Sequence, residues 1–585
     1  MQLQWQNIYL HHAVYHNKLK IKADLGQLFL VVINMKIIIA TILVFFSLSF
    51  FIGISPFPWT SFSQDLLWFL GLILCITLFY KKNVNFPKLL FPLVIICLIP
   101  FAQYLFGQIY YFSTAFFSFL FLFGFLASII YGYNSIQIAE KEKVITYIAY
   151  FFTLVGFVSS VFALAQWLQI SHPYILNLIH SRPYANLGQP NQLATLLMLS
   201  ICSILFLYEH QRSKNILLIF LLPFDVLALA LTQSRTTWII LFVLSLIFII
   251  KKNHFKKKMT VYIALTLVFS YVFIFIFNTE ISEYLNLVKP ISIEERLNGG
   301  LGRIEIWKHM FYAAMQQPWL GYGWFQTTIA QLENVLLFKN EGNLSSAHNI
   351  IIDLILWVGI PFAVIIIGYS LYLIKGIFLS VHSLPQLYLF MMVVCILVHA
   401  QLEYPLYYSY FLFPLGFFIG VLLIYCNCKF FLLDEKLKQI IFLISICFYA
   451  LIFKQYDQWL SDFGYASGME NTGKSQHKKS ILFSQFSDRA DFIVAKIDQN
   501  YTRLELEFFE HYVKSQPTEY NLYKIAQIFY FNEEMIKANY YFEVYNALYN
   551  KNVLFKDLSK INKNQDIGIS SLFEKNTSKP NLNMK

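Results

Sequence analysis

Long apolar runs, broken by short polar ones, set the rhythm of this chain from Met35 to about residue 455. Met35-Lys36 opens a clean apolar stretch to about Ile54. Later stretches fall near 64–80, 89–104, 111–131, 144–168, 192–208, 216–232, 237–250, 259–277, 350–374, 387–403, 411–428 and 439–455. At the rise of an α-helix, runs of this length approach the roughly 30 Å of a bilayer's hydrocarbon core. They are continuous and lack the strict alternation of membrane barrel strands. The predicted fold class is therefore all-α, a polytopic membrane protein of about 12–13 transmembrane helices.

Four segments depart from that rhythm. Residues 1–34 mix His, Gln and Asn among apolar residues and read as an N-terminal extension ahead of a second start at Met35. No small-residue cleavage site follows, so the first span reads as uncleaved. Transmembrane helices are expected over 35–277 and 350–455, separated by a polar loop at 278–349. A loop of about seventy residues between spans is uncommon unless it has a function. Within it a helix is expected from Arg303 to Ala314, ended by Pro318. Residues 456–552 form a C-terminal helical domain, with Leu506, Phe509, Tyr512, Ile525 and Phe529 at helical spacing. They carry no convincing 34-residue repeat. Residues 553–585, rich in Lys, Asn and Ser, read as a disordered tail.

Charge turns this pattern into a topology. Only 13% of residues are charged and 57% are hydrophobic, far from a soluble domain. The net charge of +11 would suit a nucleic acid, yet much of it sits in short loops between spans. Lys81, Lys82, Lys88, Lys141, Lys143, Arg212, Lys214, Lys251 and Lys375 fall in one set of loops, while the loops at 55–63, 103–110 and 404–410 carry no basic residue. Positive-inside bias accounts for the excess, so a lipid bilayer is the expected partner and nucleic acid is not. It places the N-terminus in the cytoplasm, and an odd number of spans puts the 278–349 loop and the tail outside. The seven cysteines lie in or beside apolar runs, so no disulfide or zinc site is expected in the loop or tail.

The candidate chemistry collects on that outer side. Ser181-Arg182-Pro183 to Gly188-Gln189-Pro190-Asn191 is longer and more polar than a turn needs, although Pro and Asn also suit an ordinary turn and helix start. Arg235, between two short spans, is costly at bilayer depth without a partner or an anionic ligand, unless it snorkels beside Trp238. Arg303 could bind phosphate or pair with Glu305 or Glu333, and His348 directly precedes a span with Asp353 one turn further in. His399 and Glu403 lie at the outer end of another span, as ligands or as a polar cap. Arginine's planar charged fork suits phosphate or pyrophosphate, and a histidine suits a general base toward a hydroxyl. No P-loop, nucleophile elbow or zinc-protease motif is present. The set points to a lipid-linked phosphate whose head lies at the outer face.

Gly302-Arg303 with Trp307, Pro318 and Gly321-Tyr322-Gly323, then His348-Asn349 and Gly359-Ile360, resembles the O-antigen ligase and polymerase superfamily. The stretches SRPYANLGQPNQLATLL from Ser181 and HAQLEYPLYYSYFLF from His399 resemble the PglL-type protein O-oligosaccharyltransferases of Gram-negative bacteria. The resemblance runs from about Met35 to about residue 550 and leaves out the N-terminal extension. It implies a glycosyltransferase of the inner membrane that moves a preassembled glycan from undecaprenyl pyrophosphate to Ser or Thr of a periplasmic protein such as pilin. Carried over, His348 is the catalytic base, and Arg182, Arg235 and Arg303 hold the pyrophosphate. Gln189, Asn191, Glu305, His399 and Glu403 support the substrate. The expected reaction inverts the anomeric carbon and uses no metal or other cofactor. An O-antigen ligase acting on lipid A-core, an O-antigen polymerase and a polysaccharide transporter remain as alternatives, the last lacking the internal repeats expected of it.

Overall fold

The computed structural model describes residues 35–53, 59–79, 82–179, 181–210, 216–251, 258–287, 293–338, 342–468 and 480–559. The N-terminal extension and most of the expected disordered tail lie outside them. Among the described residues, eight helices are long and apolar enough to cross a membrane, and five shorter apolar helices accompany them. Helices α1 (Met35–Phe51), α2 (Phe62–Leu78), α3 (Phe91–Leu105), α4 (Phe112–Asn134) and α5 (Lys141–Trp167) come first. Next are α6 (Pro190–His210), α7 (Ile216–Thr232), α8 (Arg235–Ile250) and α9 (Lys258–Tyr284). The polar loop contributes α10 (Ile293–Gln316) and α11 (Thr327–Asn334), after which α12 (Ile350–Ser380), α13 (Leu384–His399), α14 (Ser409–Leu423) and α15 (Glu435–Gly468) return to the apolar pattern. The chain is an all-α, multi-pass membrane protein. Its strands β1 (Val84–Pro87) and β2 (Phe430–Leu433) form one short antiparallel pair, with Val84 opposite Leu433.

Two boundaries differ from the hydropathy reading, and both bear on the site. The span expected at 259–277 continues to Tyr284, because Thr279, Glu280, Ser282 and Glu283 still tolerate a helix once it clears the apolar zone. The span expected at 387–403 stops at His399. Helix-breaking Pro405 follows, and Glu403 stands in a turn. Likewise α10 is longer than Arg303–Ala314, although it still ends just before Pro318.

Helix packing without a hydrophobic driving force relies on small residues that let backbones approach. Helices α4 and α14 meet that way: a Cβ at Gly420 would lie 2.1 Å from the Ile129 carbonyl oxygen, and one at Gly132 would lie 2.2 Å from that of Phe417. Helix α6 is the most buried of the long spans, with α5, α7 and α13 packed around it. Its N-terminus and the end of α13 therefore share the interior, which brings Asn191 to Glu403.

The C-terminal domain is four helices, α16 (Ser484–Val494), α17 (Arg503–Ser515), α18 (Glu519–Phe531) and α19 (Met535–Tyr549). Thr502 and Glu505 form a reciprocal capping box at the start of α17. Phe492, Phe509, Ile525, Phe529 and Tyr541 make its core, and Leu332 and Val335 of the polar loop are part of that same core. Gly342 N also donates to the Leu548 carbonyl at 2.7 Å. The domain thus grips the loop rather than hanging free of it.

Gly420→Leu should force α14 off α4. Overpacking of this kind costs about 1–3 kcal/mol, so the expected outcome is a lowered melting temperature of the purified protein in detergent. An unchanged melting temperature would contradict the close approach.

Candidate active site

The turn after α13 is tied back on itself: Leu402 N and Glu403 N both donate to the His399 carbonyl at 3.0 Å. Glu403 is 4% exposed, yet its carboxylate is fully engaged. Its Oε2 meets His348 Nδ1 at 2.7 Å, and its Oε1 accepts from Asn191 Nδ2 at 2.8 Å and from the Arg303 guanidinium. Gln189 Nε2 stands 3.4 Å from Oε2. Burial works to raise the carboxyl's pKa, but the His348 hydrogen bond and the Arg303 charge outweigh it and hold Glu403 below its ordinary 4.5. At neutral pH it is a carboxylate.

The segment that presents His348 is clamped from both ends. Asn349 caps α12, accepting from Ile351 N and Ile352 N, and its Nδ2 donates to the Gln401 carbonyl at 3.0 Å. Ile350 N donates to the Ala400 carbonyl at 2.9 Å, so the start of α12 is stitched to the Glu403 turn. Below, Asp353 accepts from Ser346 Oγ at 2.6 Å, Ala347 N at 2.9 Å and Thr327 Oγ1 at 2.8 Å. From the loop, Trp307 Nε1 of α10 donates to the Ala347 carbonyl at 3.0 Å. His348 itself takes a left-handed φ of 55°, a strained conformation for a non-glycine residue that this frame holds in place. An ionised carboxylate only accepts, so Nδ1 carries a proton, and in the neutral ring the lone pair is on Nε2. No described residue makes a hydrogen bond to Nε2.

Three arginines ring this pair. Arg182 Nε donates to the Thr232 carbonyl at 2.7 Å and its Nη2 to Asn191 Oδ1 at 3.2 Å. Asn191 therefore bridges Arg182 and Glu403. Burial lowers the Arg182 guanidinium to about 10, with Arg235 and Arg303 adding to the effect and Glu403 opposing it. It stays cationic at neutral pH. Arg303 is committed to Glu403. Arg235 is exposed at the first position of α8, makes no hydrogen bond to a described residue, and lies within the fields of Arg303 and Glu403. One arginine of the three is uncommitted.

The remaining expected site residues separate. His399 is fully buried one layer down, its Nδ1 2.8 Å from Thr195 Oγ1. Its carbonyl, not its ring, holds the Glu403 turn. Glu305 is not brought in: it pairs with Lys308 at 2.7 Å on the exposed side of α10. Neither Glu305 nor Glu333 is the partner of Arg303, which reaches Glu403 from a different part of the chain. The Pro318–Trp324 turn lies beside the site as a wedge. Tyr322 N and Gly323 N donate to the Leu356 and Trp357 carbonyls, at 2.6 and 3.1 Å, where Gly359 kinks α12 with φ 77°. Sequence reasoning missed Thr327 and gave Ser346, beside His348, no role. A lone carboxylate inside an apolar helix, Asp353, was the available signal for that buckle. The Thr232 carbonyl that holds Arg182 has no sequence signal.

A pH dependence follows from Glu403. Its folded pKa lies below the ordinary 4.5, so its interactions stabilise the protein fully above that value and are lost as pH falls through the folded pKa. Thermal unfolding between pH 7 and pH 3 should show the wild type losing stability in the acid limb. Glu403→Gln should start less stable and show a shallower acid loss. Parallel profiles for the two would contradict the assignment.

Comparison with known proteins places the chain in a family. Residues 216–367, which carry Arg235, Arg303 and His348, match the O-antigen ligase family. Residues 183–208, which carry Gln189 and Asn191, match the protein glycosylation ligase family, and residues 387–556, with Glu403 and the helical tail, match the C-terminal part of the virulence factor membrane-bound polymerases. The general O-oligosaccharyltransferase of Acinetobacter baylyi is 30% identical over 532 residues, covering 86% of this chain and 91% of that protein. The ComP-specific O-oligosaccharyltransferase of the same organism is 32% identical over 366 residues, covering 61% of this chain and 66% of that one. Fold, site and these likenesses converge: the chain belongs to the PglL-type O-oligosaccharyltransferases, membrane glycosyltransferases within the O-antigen ligase superfamily.

Proposed function

We propose that this enzyme transfers a preassembled glycan from undecaprenyl pyrophosphate to a Ser or Thr hydroxyl of a pilin-like protein, at the periplasmic face of a bacterial inner membrane. The observation that carries the reading is the carboxylate of Glu403, which engages His348 Nδ1 and Arg303 together while leaving His348 Nε2 and the Arg235 guanidinium uncommitted. A base and a cation are free, and the groups that orient them are not.

In this reading the acceptor hydroxyl attacks the anomeric carbon of the first sugar opposite the pyrophosphate. A C–O bond forms to the acceptor, the C–O bond to pyrophosphate breaks, and the configuration inverts. His348 Nε2 takes the hydroxyl proton, and Glu403 stabilises the imidazolium that results. The departing pyrophosphate gains negative charge, which Arg235, Arg182 and Arg303 neutralise. Because pyrophosphate is already a good leaving group, the reading assigns no step to a metal, and a chelator should leave the rate unchanged. Acceptor choice follows the relatives only in kind: one is named for general transfer and the other for a single protein, ComP.

A second reading has support in the match of residues 216–367 to the O-antigen ligases. There the acceptor is a sugar hydroxyl of lipid A-core, with the same donor and the same base. Purified enzyme with lipid-linked glycan, offered a pilin and lipid A-core in separate reactions, distinguishes the two. Glycosylated pilin is the expected product; product on lipid A-core alone would overturn the proposal.

Two variants test the roles. His348→Ala should slow transfer by about 10²–10⁴-fold, the usual contribution of a positioned base, with the donor KM little changed. Arg235→Glu should raise the donor KM and Arg235→Lys should recover part of the loss, as read by initial rates over a range of donor concentrations. Full activity in His348→Ala would remove the base.

A further inference from the structure

Helix α10 has two apolar faces where a surface helix needs one. The first packs inward, with Met310, Ala313 and Ala314 buried. The second is bare: Ile304, Phe311 and Met315 are all exposed. Positions i, i+7 and i+11 fall within about 40° of one another around a helix. Beyond Pro318 the row continues into Trp319 and Leu320, which are 74% and 61% exposed. Scattered bare apolar residues are normal on any protein, but Phe311, Met315, Trp319 and Leu320, with Lys308 between them and Ile304 on that face, make a patch of the kind that marks a contact surface.

Its surroundings say what makes the contact. Gln108 Nε2 donates to the Leu320 and Gly321 carbonyls, at 2.8 and 2.7 Å, and so fastens this turn to the end of α3. Helix α3 belongs to a membrane span, and Phe91, Ile95, Leu98 and Leu105 line its one bare face at i, i+4, i+7 and i+14. An exposed apolar face on a membrane-spanning helix is suited to lipid. Its last residue, Leu105, and the adjacent Phe106 are 80% and 88% exposed, so the α10 row prolongs a lipid-facing surface. Depth agrees. Ile360 N donates to the Pro318 carbonyl at 2.7 Å, and the Trp319 backbone packs against Gly359. From Gly359 to Lys375, the first basic residue beyond that span, a helix rises about 24 Å, against about 30 Å of hydrocarbon. Trp319 thus stands in the leaflet opposite Lys375, toward the boundary at which tryptophans concentrate.

We infer that α10 and the Trp319–Leu320 turn form a monotopic element lying in the bilayer surface, with Ile304, Phe311, Met315, Trp319 and Leu320 dipped into the leaflet on the active-site side. Glu305 and Lys308 flank the row and stay with the headgroups. Arg303 sits one residue before Ile304, about 100° round the helix, and is therefore held at headgroup depth. That is the depth of a pyrophosphate on a membrane lipid, so α10 meets the donor without lifting it out of the bilayer. This consequence rests on the donor reading given above; the membrane contact does not.

The contact is tested with the full-length enzyme in phosphatidylcholine vesicles carrying lipids brominated at shallow or deep acyl positions. The fluorescence difference between wild type and Trp319→Phe isolates one tryptophan. The expected result is quenching of that difference signal, stronger with shallow bromines than with deep ones. The proposal fails if the signal is quenched by aqueous iodide and by neither lipid. It also fails if the signal is shielded only at high protein concentration or on adding acceptor protein, which would assign the patch to a second copy or to the acceptor. Phe311→Glu combined with Met315→Glu then tests the consequence: the donor KM should rise severalfold and kcat should hold. Lipid quenching with an unchanged donor KM would overturn the placement of Arg303 at donor depth and leave the bilayer contact standing.

Discussion

One buried charge organises this protein's working end. Glu403 is a carboxylate in a site almost closed to water, and an unpaired charge there would be strongly destabilising. Its partners come from three distant parts of the chain: Asn191 at the start of α6, Arg303 on the loop helix, and His348 just ahead of α12. None is on the same span as Glu403. Satisfying the carboxylate therefore requires that the starts of α6 and α12, the end of α13 and the middle of α10 converge, and the helix packing supplies the frame for that convergence. Removing one donor would strand the charge, so the pieces stand or fall as a set.

The same arrangement explains why a long loop is ordered at all. A segment of that length between spans loses conformational entropy on being fixed, and something must hold it. Several attachments do so: Arg303 to Glu403, Gln108 to the Leu320 and Gly321 carbonyls, the Pro318–Trp324 turn wedged into the α12 kink, and Leu332 with Val335 sunk in the core of the C-terminal domain, while Trp307 to Ala347 ties the loop to itself. The tail is thus a structural partner of the loop. Gln331 Oε1 accepts from Leu344 N at 2.8 Å, which links the part gripped by the tail to the strand that leads into His348. The path from tail to imidazole is short and continuous.

Much of this was legible in the sequence, and the rest was not for identifiable reasons. Apolar runs predicted the helices because a bilayer permits few other structures. They misplaced the end of α13, since Leu402 still reads as apolar although the helix ends at His399 and the chain turns through Glu403 before Pro405. Glu403 stands out because a carboxylate at bilayer depth is costly, Arg182 and Asn191 because their run is more polar than a turn needs, and Arg303 and His348 through the motifs they share with the family; the structure brings these five together. Their pairing was not legible. Glu305 stood two residues from Arg303 and looked the nearer partner, yet one helical step of about 100° per residue turns it well away from Arg303. Nor could hydropathy reveal that Glu403, set down as a supporting residue, would be the one to which the others are bound. Its importance comes from the number of donors it satisfies, which is a property of tertiary structure.

The central claim is that Glu403 and His348 act as one unit, the carboxylate fixing the tautomer and orientation of the ring. A double-mutant cycle on the rate of glycan transfer tests it most directly, with His348→Ala, Glu403→Ala and the combination measured against wild type. The account predicts strong non-additivity: the double variant should be scarcely slower than His348→Ala alone. Losses that simply multiply would mean that the two residues contribute independently and would contradict it.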